Sequence, residues 1–193
     1  MSKKKTAVFF VILVLVGAAS VIGVYLWTLN PNKTVTEFEK LKEGMKIWDG
    51  APVPGISLYI PEEYEREDKE FYTVYFKDDA RISLTTEEVD NDLANYSYYA
   101  VSLYEDVTDS FNIREEYEEQ LFNTTAHVVE FDYGIKLEDG MSTYTCLTAY
   151  VMGEGRAYIL TCVSDADTYS MHSEDFHKAY KTMTLVDENK DNE

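Results

Sequence analysis

The sequence is poor in the residues that bind nucleic acids, hold metals or act as redox centres. Its 193 residues include two cysteines, three histidines and 17 Lys+Arg against 36 Asp+Glu, for a formal net charge of −19. Because binding to phosphate groups needs clustered Lys and Arg, this balance argues against a nucleic-acid partner. Neither a Gly-x-Ser-x-Gly nor a Cys-x-x-Cys motif is present. The sequence therefore lacks the usual signatures of a serine hydrolase and of a dithiol oxidoreductase.

Metal and cofactor sites are not predicted either. His172 and His177 are five residues apart and would point to different sides of a helix, and His127 begins a strand. Two acidic clusters, at residues 90–92 and 165–167, do not match the twelve-residue calcium loop. We interpret them as solvated turns, with weak calcium binding as the alternative. The expectation is a protein without a cofactor or a metal.

A long apolar run near the N-terminus is the most conspicuous feature that is present. Lys3, Lys4 and Lys5 precede residues 6–27, which contain no charged side chain. As a helix this run would span about 33 Å, enough for a hydrocarbon core of about 30 Å. Because lysines favour the cytoplasmic side, we predict a single-pass plasma-membrane protein with a cytoplasmic N-terminus and an extracytoplasmic C-terminal domain. A cleaved signal peptide is the alternative.

The rest of the chain predicts one folded domain. We expect an anchor at 1–29, a juxtamembrane linker at 30–54, an extracytoplasmic domain at 55–186 and a disordered tail at 187–193. Alternating apolar residues and turn signals predict strands at 55–61, 71–76, 80–86, 96–107, 127–137, 141–152 and 156–163. Helical spacing predicts helices at 109–123 and 173–183, with a short one at 37–43. The predicted class is α+β: an antiparallel sheet with helices packed against it, preceded by a transmembrane helix.

The two cysteines lie in the last predicted hairpin, on either side of the sequence Gly-Glu-Gly. A three-residue loop would place Cys146 directly opposite Cys162, which permits a disulfide in an oxidising compartment. A two-residue turn would shift the register by one residue and separate the cysteines onto opposite faces. We predict a structural disulfide between Cys146 and Cys162. Two reduced buried thiols are the first alternative, and a reactive pair is the second.

Tyrosine is abundant, with 16 residues. Because tyrosine buries a large area while keeping a polar tip, it is favoured at protein interfaces. Ordinary packing within the sheet is the alternative interpretation. The predicted interaction surface consists of Tyr96, Tyr98, Tyr99, Tyr104, Tyr150 and Tyr158.

Four stretches carry a resemblance to a known family. They are GISLYIPEEY, which begins at Gly55; HVVEFDYGIKL, which follows the predicted middle helix; the hairpin YTCLTAYVMGEGRAYILTC; and SEDFHKAYKTM at the end. Over residues 55–185 the chain resembles the Mog1/PsbP-like superfamily, in particular its DcrB-like branch. The resemblance implies a six- or seven-stranded antiparallel sheet. It also implies an assembly, adaptor or chaperone-like role without catalytic activity.

These observations together predict a membrane-anchored extracytoplasmic domain that binds an envelope or cell-surface protein and is not an enzyme. The first alternative is a module that binds a small solute or a lipid in a cavity between sheet and helix. A hydrolase is the third possibility.

Overall fold

The computed structural model describes residues 31–90, 92–138 and 140–186. The chain divides into two compact units between Lys40 and Leu41. Helix α1 (Pro31–Leu41) begins with a proline, which is tolerated in the first turn of a helix. The unit that begins at Leu41 contains all the described strands and the other two described helices.

A seven-stranded antiparallel sheet forms the centre of this second unit. The elements are β1 (Met45–Ile47), β2 (Ile56–Ser57), β3 (Tyr59–Pro61), β4 (Glu65–Asp68), β5 (Thr73–Lys77), β6 (Ala80–Glu88), α2 (Leu93–Val107), β7 (Ser110–Gln120), β8 (Thr125–Leu137), β9 (Gly140–Gly153), β10 (Arg156–Asp165), α3 (Tyr169–Lys181) and β11 (Thr184–Leu185). The order across the sheet is β4-β5-β6-β10-β9-β8-β7, while β1 pairs with β3 and β2 with β11. The predicted α+β class is confirmed, and the antiparallel sheet has seven of the six or seven strands that the resemblance implies.

The central strands are apolar on both faces because each face is covered by a helix. Successive side chains of a strand point to opposite faces, so each strand contributes to two cores. On one face Leu147 and Leu160 pack with Phe176 of α3 in the larger cluster. On the other face Phe131 and Tyr150 pack beneath α2 in the smaller cluster. The sheet is therefore the middle layer between two helices.

For two neighbouring elements the structure shows the opposite secondary structure to the one predicted. Residues 96–107, predicted as a strand, lie in helix α2, and residues 109–123, predicted as a helix, form edge strand β7 and the turn after it. Asp92 caps α2, since its carboxylate accepts a hydrogen bond from the backbone N–H of Asn95 at 2.9 Å. In β7 the register shifts between Ile113 and Glu115. This bulge interrupts the alternation of apolar residues and gives β7 a spacing that resembles a helix.

The predicted localisation is also corrected. Among the helices within residues 31–90, 92–138 and 140–186, none is both long enough and apolar enough to cross a membrane. This finding contradicts the prediction of a single-pass plasma-membrane protein. The predicted span at residues 6–27 lies outside the described residues.

Candidate interaction surface

The hairpin between β9 and β10 is closed by a two-residue turn. Glu154 and Gly155 both have positive φ values, 50° and 75°, as the tight turn that matches the twist of a hairpin requires. Gly153 therefore pairs with Arg156.

This register separates the two cysteines. Cys146 lies opposite Val163, and Cys162 lies opposite Leu147. Successive residue pairs along the hairpin direct their side chains to opposite faces of the sheet. Cys146 therefore belongs to the core beneath α2, and Cys162 belongs to the core beneath α3. Both are buried free thiols. The predicted disulfide is corrected accordingly.

Both thiols are expected to be detectable only after unfolding. Burial raises the pKa of Cys146 to about 12 and raises that of Cys162 well above its ordinary value, so neither forms a thiolate near neutral pH. Titration with a thiol reagent, without reductant, should give two thiols per chain in denaturant and slow or no reaction in the native protein. Unfolded protein that reacts only after reduction would contradict the register.

Helix α2 is anchored to the sheet by aromatic contacts on its inner side. The ring of Tyr104 lies 4.9 Å from that of Phe131, and the ring of Tyr96 lies 6.0 Å from that of Tyr150 in an edge-to-face arrangement. Val101 is buried between these two tyrosines along the helix. These contacts fix which side of α2 faces solvent.

The outer side of α2 exposes large apolar side chains. The exposed fractions are 76% for Tyr98, 57% for Tyr99, 44% for Leu103 and 78% for Val107. Single exposed apolar residues are common on protein surfaces, but Tyr99, Leu103 and Val107 are spaced four residues apart, so they share one side of the helix and form a patch. This patch is the first component of the candidate site.

Only two of the six tyrosines predicted to form the surface are exposed. Tyr98 and Tyr99 are exposed on α2, and Tyr99 belongs to the patch, whereas Tyr96, Tyr150 and Tyr158 are buried and Tyr104 is half-buried. Sequence reasoning missed Leu103 and Val107. The signal that would have revealed them is the spacing of four residues from Tyr99 to Leu103 to Val107, which places them on one side of a helix.

One side of α2 is turned towards strand β6. The hydroxyl of Tyr96 donates a hydrogen bond to Glu87 of β6 at 2.8 Å. Residues three, seven and eleven positions further along a helix lie on roughly the same side. Tyr99, Leu103 and Val107 therefore lie along the exposed edge of α2 that is nearer to β6, and we call this row of side chains the wall.

The sheet beside this wall is open. Ile159, Thr161 and Val163 of β10 point to the α2 side and are half-buried. Ser83 and Thr85 of β6 pair with Thr161 and Ile159 and so share that face. Among the described elements from Leu41 onward, α2 lies across β7, β8 and β9, and α3 packs on the opposite face. We call this open region the α2 groove. Its wall consists of Tyr99, Leu103 and Val107, and its floor consists of Ser83, Thr85, Ile159, Thr161 and Val163.

The chain around the α2 groove is acidic. Residues 87–109 contain no Lys, Arg or His. The acidic residues of this stretch are Glu87, Glu88, Asp90, Asp92, Glu105, Asp106 and Asp109. Asp106 lies seven residues after Tyr99 and three after Leu103, so it stands on the same side of α2 as the wall. The field over the groove is therefore negative.

A cation lies at the far edge of the floor. The guanidinium of Arg81 sits 5.4 Å from the ring centre of Phe76 and donates a hydrogen bond to the carbonyl oxygen of Asp78 at 2.8 Å. Beyond it, Glu65 and Glu67 of the exposed strand β4 share the face of the groove, because they pair with Phe76 and Val74, and Lys69 lies 2.5 Å from Glu67. The excess of acidic groups therefore lies on the α2 rim of the groove.

A polar network on the α3 face of the sheet has a structural role. Arg114 donates to Asp132 at 2.8 Å and approaches Glu130 at 3.5 Å. Tyr169 at the start of α3 donates to Glu130 at 2.6 Å, and Thr145 donates to Asp132 at 2.7 Å. The hydrogen bonds to Asp132 raise the pKa of the Arg114 guanidinium. The network connects edge strand β7 to α3. Its donors form hydrogen bonds and ion pairs with the carboxylates of both Glu130 and Asp132.

The three histidines lie apart. His127 on β8 contacts Glu116 at 3.0 Å, and His177 on α3 contacts the carbonyl of Ser173 at 2.7 Å. His172, also on α3, is buried. Within the part of the chain that the structure describes, no three His, Cys, Asp or Glu residues are arranged to hold a metal ion.

Asp79, in the turn between β5 and β6, fixes the loop that leads into α3. Its carboxylate accepts hydrogen bonds from the backbone N–H of Asp165 at 2.9 Å and the hydroxyl of Thr168 at 2.5 Å. The Nε2 atom of His172 lies 3.4 Å away. Burial acts to raise the pKa of Asp79, but these hydrogen bonds outweigh it and hold the pKa below its ordinary value of 3.8.

The contribution of Asp79 to stability should depend on pH. A carboxyl whose pKa is lowered by folding stabilises the native state above its ordinary pKa and loses this effect as pH falls through the lowered value. In urea unfolding, the free energy of unfolding of Asp79→Asn should therefore lie furthest below that of wild type near neutral pH. The difference between the two proteins should shrink in acid. The exposed Asp167→Asn is the control. A difference for Asp79→Asn that is constant with pH would contradict this expectation.

Comparison with known proteins gives likeness in structure alone. No family model and no curated protein matches the chain. PsbP (CyanoP) from Synechocystis sp. PCC 6803 superposes with a TM-score of 0.56 at 9% identity, covering 74% of this chain and 93% of that one. LpqN of Mycobacterium tuberculosis, described as involved in cell envelope biogenesis, gives 0.50 at 14% identity, covering 74% and 92%. The Ran-binding protein Mog1p of Saccharomyces cerevisiae gives 0.48 at 13% identity, covering 74% and 97%.

The first two superpositions confirm the resemblance predicted from the sequence at the level of the fold. The chain has a Mog1/PsbP-like fold, and identities of 9% and 14% in the first two superpositions carry no residue-level correspondence.

Proposed function

We propose that this chain is a non-catalytic protein-binding domain whose interaction surface is the α2 groove. The observation that carries the proposal is the wall of three exposed side chains on α2, Tyr99, Leu103 and Val107. Interface cores are enriched in tyrosine and apolar residues and depleted in charge. The wall supplies the tyrosine and the apolar residues of such a core, and Asp106 beside it supplies a charged edge.

The chemistry of the described residues supports binding rather than catalysis. A catalytic nucleophile needs a lowered pKa or an adjacent base. Both thiols are buried and have raised pKa values, and burial with a hydrogen bond to Glu87 raises the pKa of Tyr96. The carboxylates of Glu130 and Asp132 are held by Arg114, Tyr169 and Thr145. These groups are all engaged in holding the fold.

The alternative of a solute or lipid cavity has less support. The interface between α3 and the sheet is filled by side chains of 0% exposure, among them Phe176, Tyr180, Met183, Leu147 and Leu160. A cleft of about 290 Å³ lies instead at the end of the β9–β10 hairpin, lined by Tyr158 and Leu185 among others. A buried ligand of this kind would need space where the core is already packed.

An accessory role in an assembly is the finer part of the proposal. LpqN, which has the same fold, is described as involved in cell envelope biogenesis, and this supports an envelope protein as the class of partner. The physical support is the groove itself, because its exposed apolar wall and its floor suit a protein partner.

Site-specific crosslinking tests the proposal. A photo-reactive amino acid at position 103, in the wall of the groove, should give a discrete adduct with a protein of the native host. The same residue at position 171 is the control, because Met171 is 72% exposed on α3 at the opposite face of the sheet. An adduct from position 103 that is absent from position 171 is expected. No adduct, or equal adducts from both positions, would contradict the proposal.

A further inference from the structure

We infer that the occupant of the α2 groove is an amphipathic helix of a partner protein, with apolar residues on one face and Lys or Arg along its edges. This inference rests on the proposed function, because it names the partner of the same surface. It follows from the width, the lining and the charge of the groove.

The width of the open sheet suits one helix. Strands β10, β6 and β5 are neighbours, and adjacent strands lie about 4.8 Å apart. The distance from β10 to β5 is therefore about 10 Å, which equals the diameter of a helix with its side chains. A helix laid beside α2 would cover these strands and give this face of the sheet a second helix.

The lining of the groove suits the apolar face of a helix. Its floor presents the β-branched side chains Ile159, Thr161 and Val163 at alternate positions of one strand. Val74 and Phe76 of β5 share this face, because they pair with Ser83 and Arg81 of β6, and they are half-buried. A helix that docks in a groove uses apolar anchors at i, i+3, i+4 and i+7. The wall and the floor offer these anchors two apolar surfaces at once.

The charge of the α2 rim selects a basic helix. The stretch 87–109 is acidic without a single basic residue. On the other side Glu65 and Glu67 of β4 share the face of the groove, beside Lys69 and Arg81. Complementary charge steers association and excludes partners of the same sign. A second copy of this chain would bring the same acidic stretch to the contact, so self-association through the groove is disfavoured.

Three peptide probes test the inference on the full chain. The first has about 15 residues with leucines at helical spacing and lysines elsewhere. The second replaces the lysines by glutamates, and the third shuffles the first so that its leucines no longer share a face. In fluorescence anisotropy only the first should bind tightly, with an affinity that falls as salt is added. Equal or tighter binding of the acidic or the shuffled probe, or no binding of the first, would overturn the inference.

Matched variants locate the binding of the basic probe. Leu103→Ser in the wall should weaken it roughly tenfold, and Met171→Ser on the opposite face should leave it unchanged. Asp106→Lys should weaken it roughly fivefold at low salt, whereas Glu174→Lys, the same change in charge on α3, should not. Equal effects of the two lysine variants would mean that net charge attracts the probe, and would overturn the inference.

The crosslinking experiment separates this inference from the proposed function. An adduct at position 103 that persists in the Asp106→Lys background supports the protein-binding function and rejects a basic partner. Loss of the adduct in that background, together with binding of the basic probe, supports both. Absence of any adduct at position 103 contradicts the proposed function itself.

Discussion

Replacing Phe131 by alanine is expected to lower the free energy of unfolding by about 3 to 5 kcal/mol. Phe131 is fully buried beneath α2. Its ring lies 4.9 Å from that of Tyr104, 5.1 Å from Phe111 and 6.1 Å from Tyr133. Removing it deletes the common neighbour of three aromatic rings and leaves a cavity that a rigid sheet cannot close.

Urea unfolding followed by circular dichroism measures this loss. Phe71→Ala is the matched control, because Phe71 is 85% exposed in the loop between β4 and β5. The control should change the free energy of unfolding by less than about 0.5 kcal/mol. A loss below about 1 kcal/mol for Phe131→Ala would mean that α2 does not pack on this face as described.

A proline in the middle of α2 is expected to cost about 3 kcal/mol or more. Ser102 is the tenth of the fifteen residues of the helix. Proline removes the backbone N–H that bonds one turn back, and its ring collides with the carbonyl of that turn. Ser102→Pro should therefore lower the free energy of unfolding and reduce the helical signal in far-ultraviolet circular dichroism.

Ser102→Ala is the control for this substitution. Alanine also removes the hydrogen bond from the Ser102 hydroxyl to the carbonyl oxygen of Tyr99, but it has the highest helix propensity. Its stability should be close to that of wild type or slightly higher. Equal stability and equal helical signal for the proline and alanine variants would contradict the assignment of residues 93–107 as a helix.

Most of the sheet could be predicted from local patterns. Strands β6, β8, β9 and β10 alternate or continue in apolar residues and are bounded by turn residues, so their position in the sequence was evident. The last helix was also predicted, although α3 begins four residues before Ser173. The resemblance in fold implied six or seven strands, but their order across the sheet was not predicted.

The exchange of α2 and β7 could not be read from local sequence. Tyrosines and valines in α2 favour a strand, whereas the run of glutamates in β7 favours a helix. The outcome depends on long-range pairing, since β7 bonds to β8 from Ser110 to Gln120. The groove was missed for the same reason, because Leu103 and Val107 share a side with Tyr99 only in a helix.

The cysteine register depended on a single turn. Gly-Glu-Gly permits either a three-residue loop or a two-residue turn, and both are common in hairpins. The structure adopts the second, and in it Glu154 takes a positive φ of 50°, a conformation that few residues other than glycine adopt. Because the register differs by one residue from the predicted one, Cys146 does not lie opposite Cys162, and the predicted disulfide does not form.

Chemical-shift mapping on the ¹⁵N-labelled full chain tests the central claim most directly, namely that the α2 groove is the interaction surface. Titration with the basic amphipathic probe should shift the amide signals of α2 from Tyr99 onward and those of Ile159, Thr161 and Val163. The signals of Met171 and Glu174 on α3 should stay unchanged. Shifts centred on α3, or no shifts at saturating probe, would contradict the account.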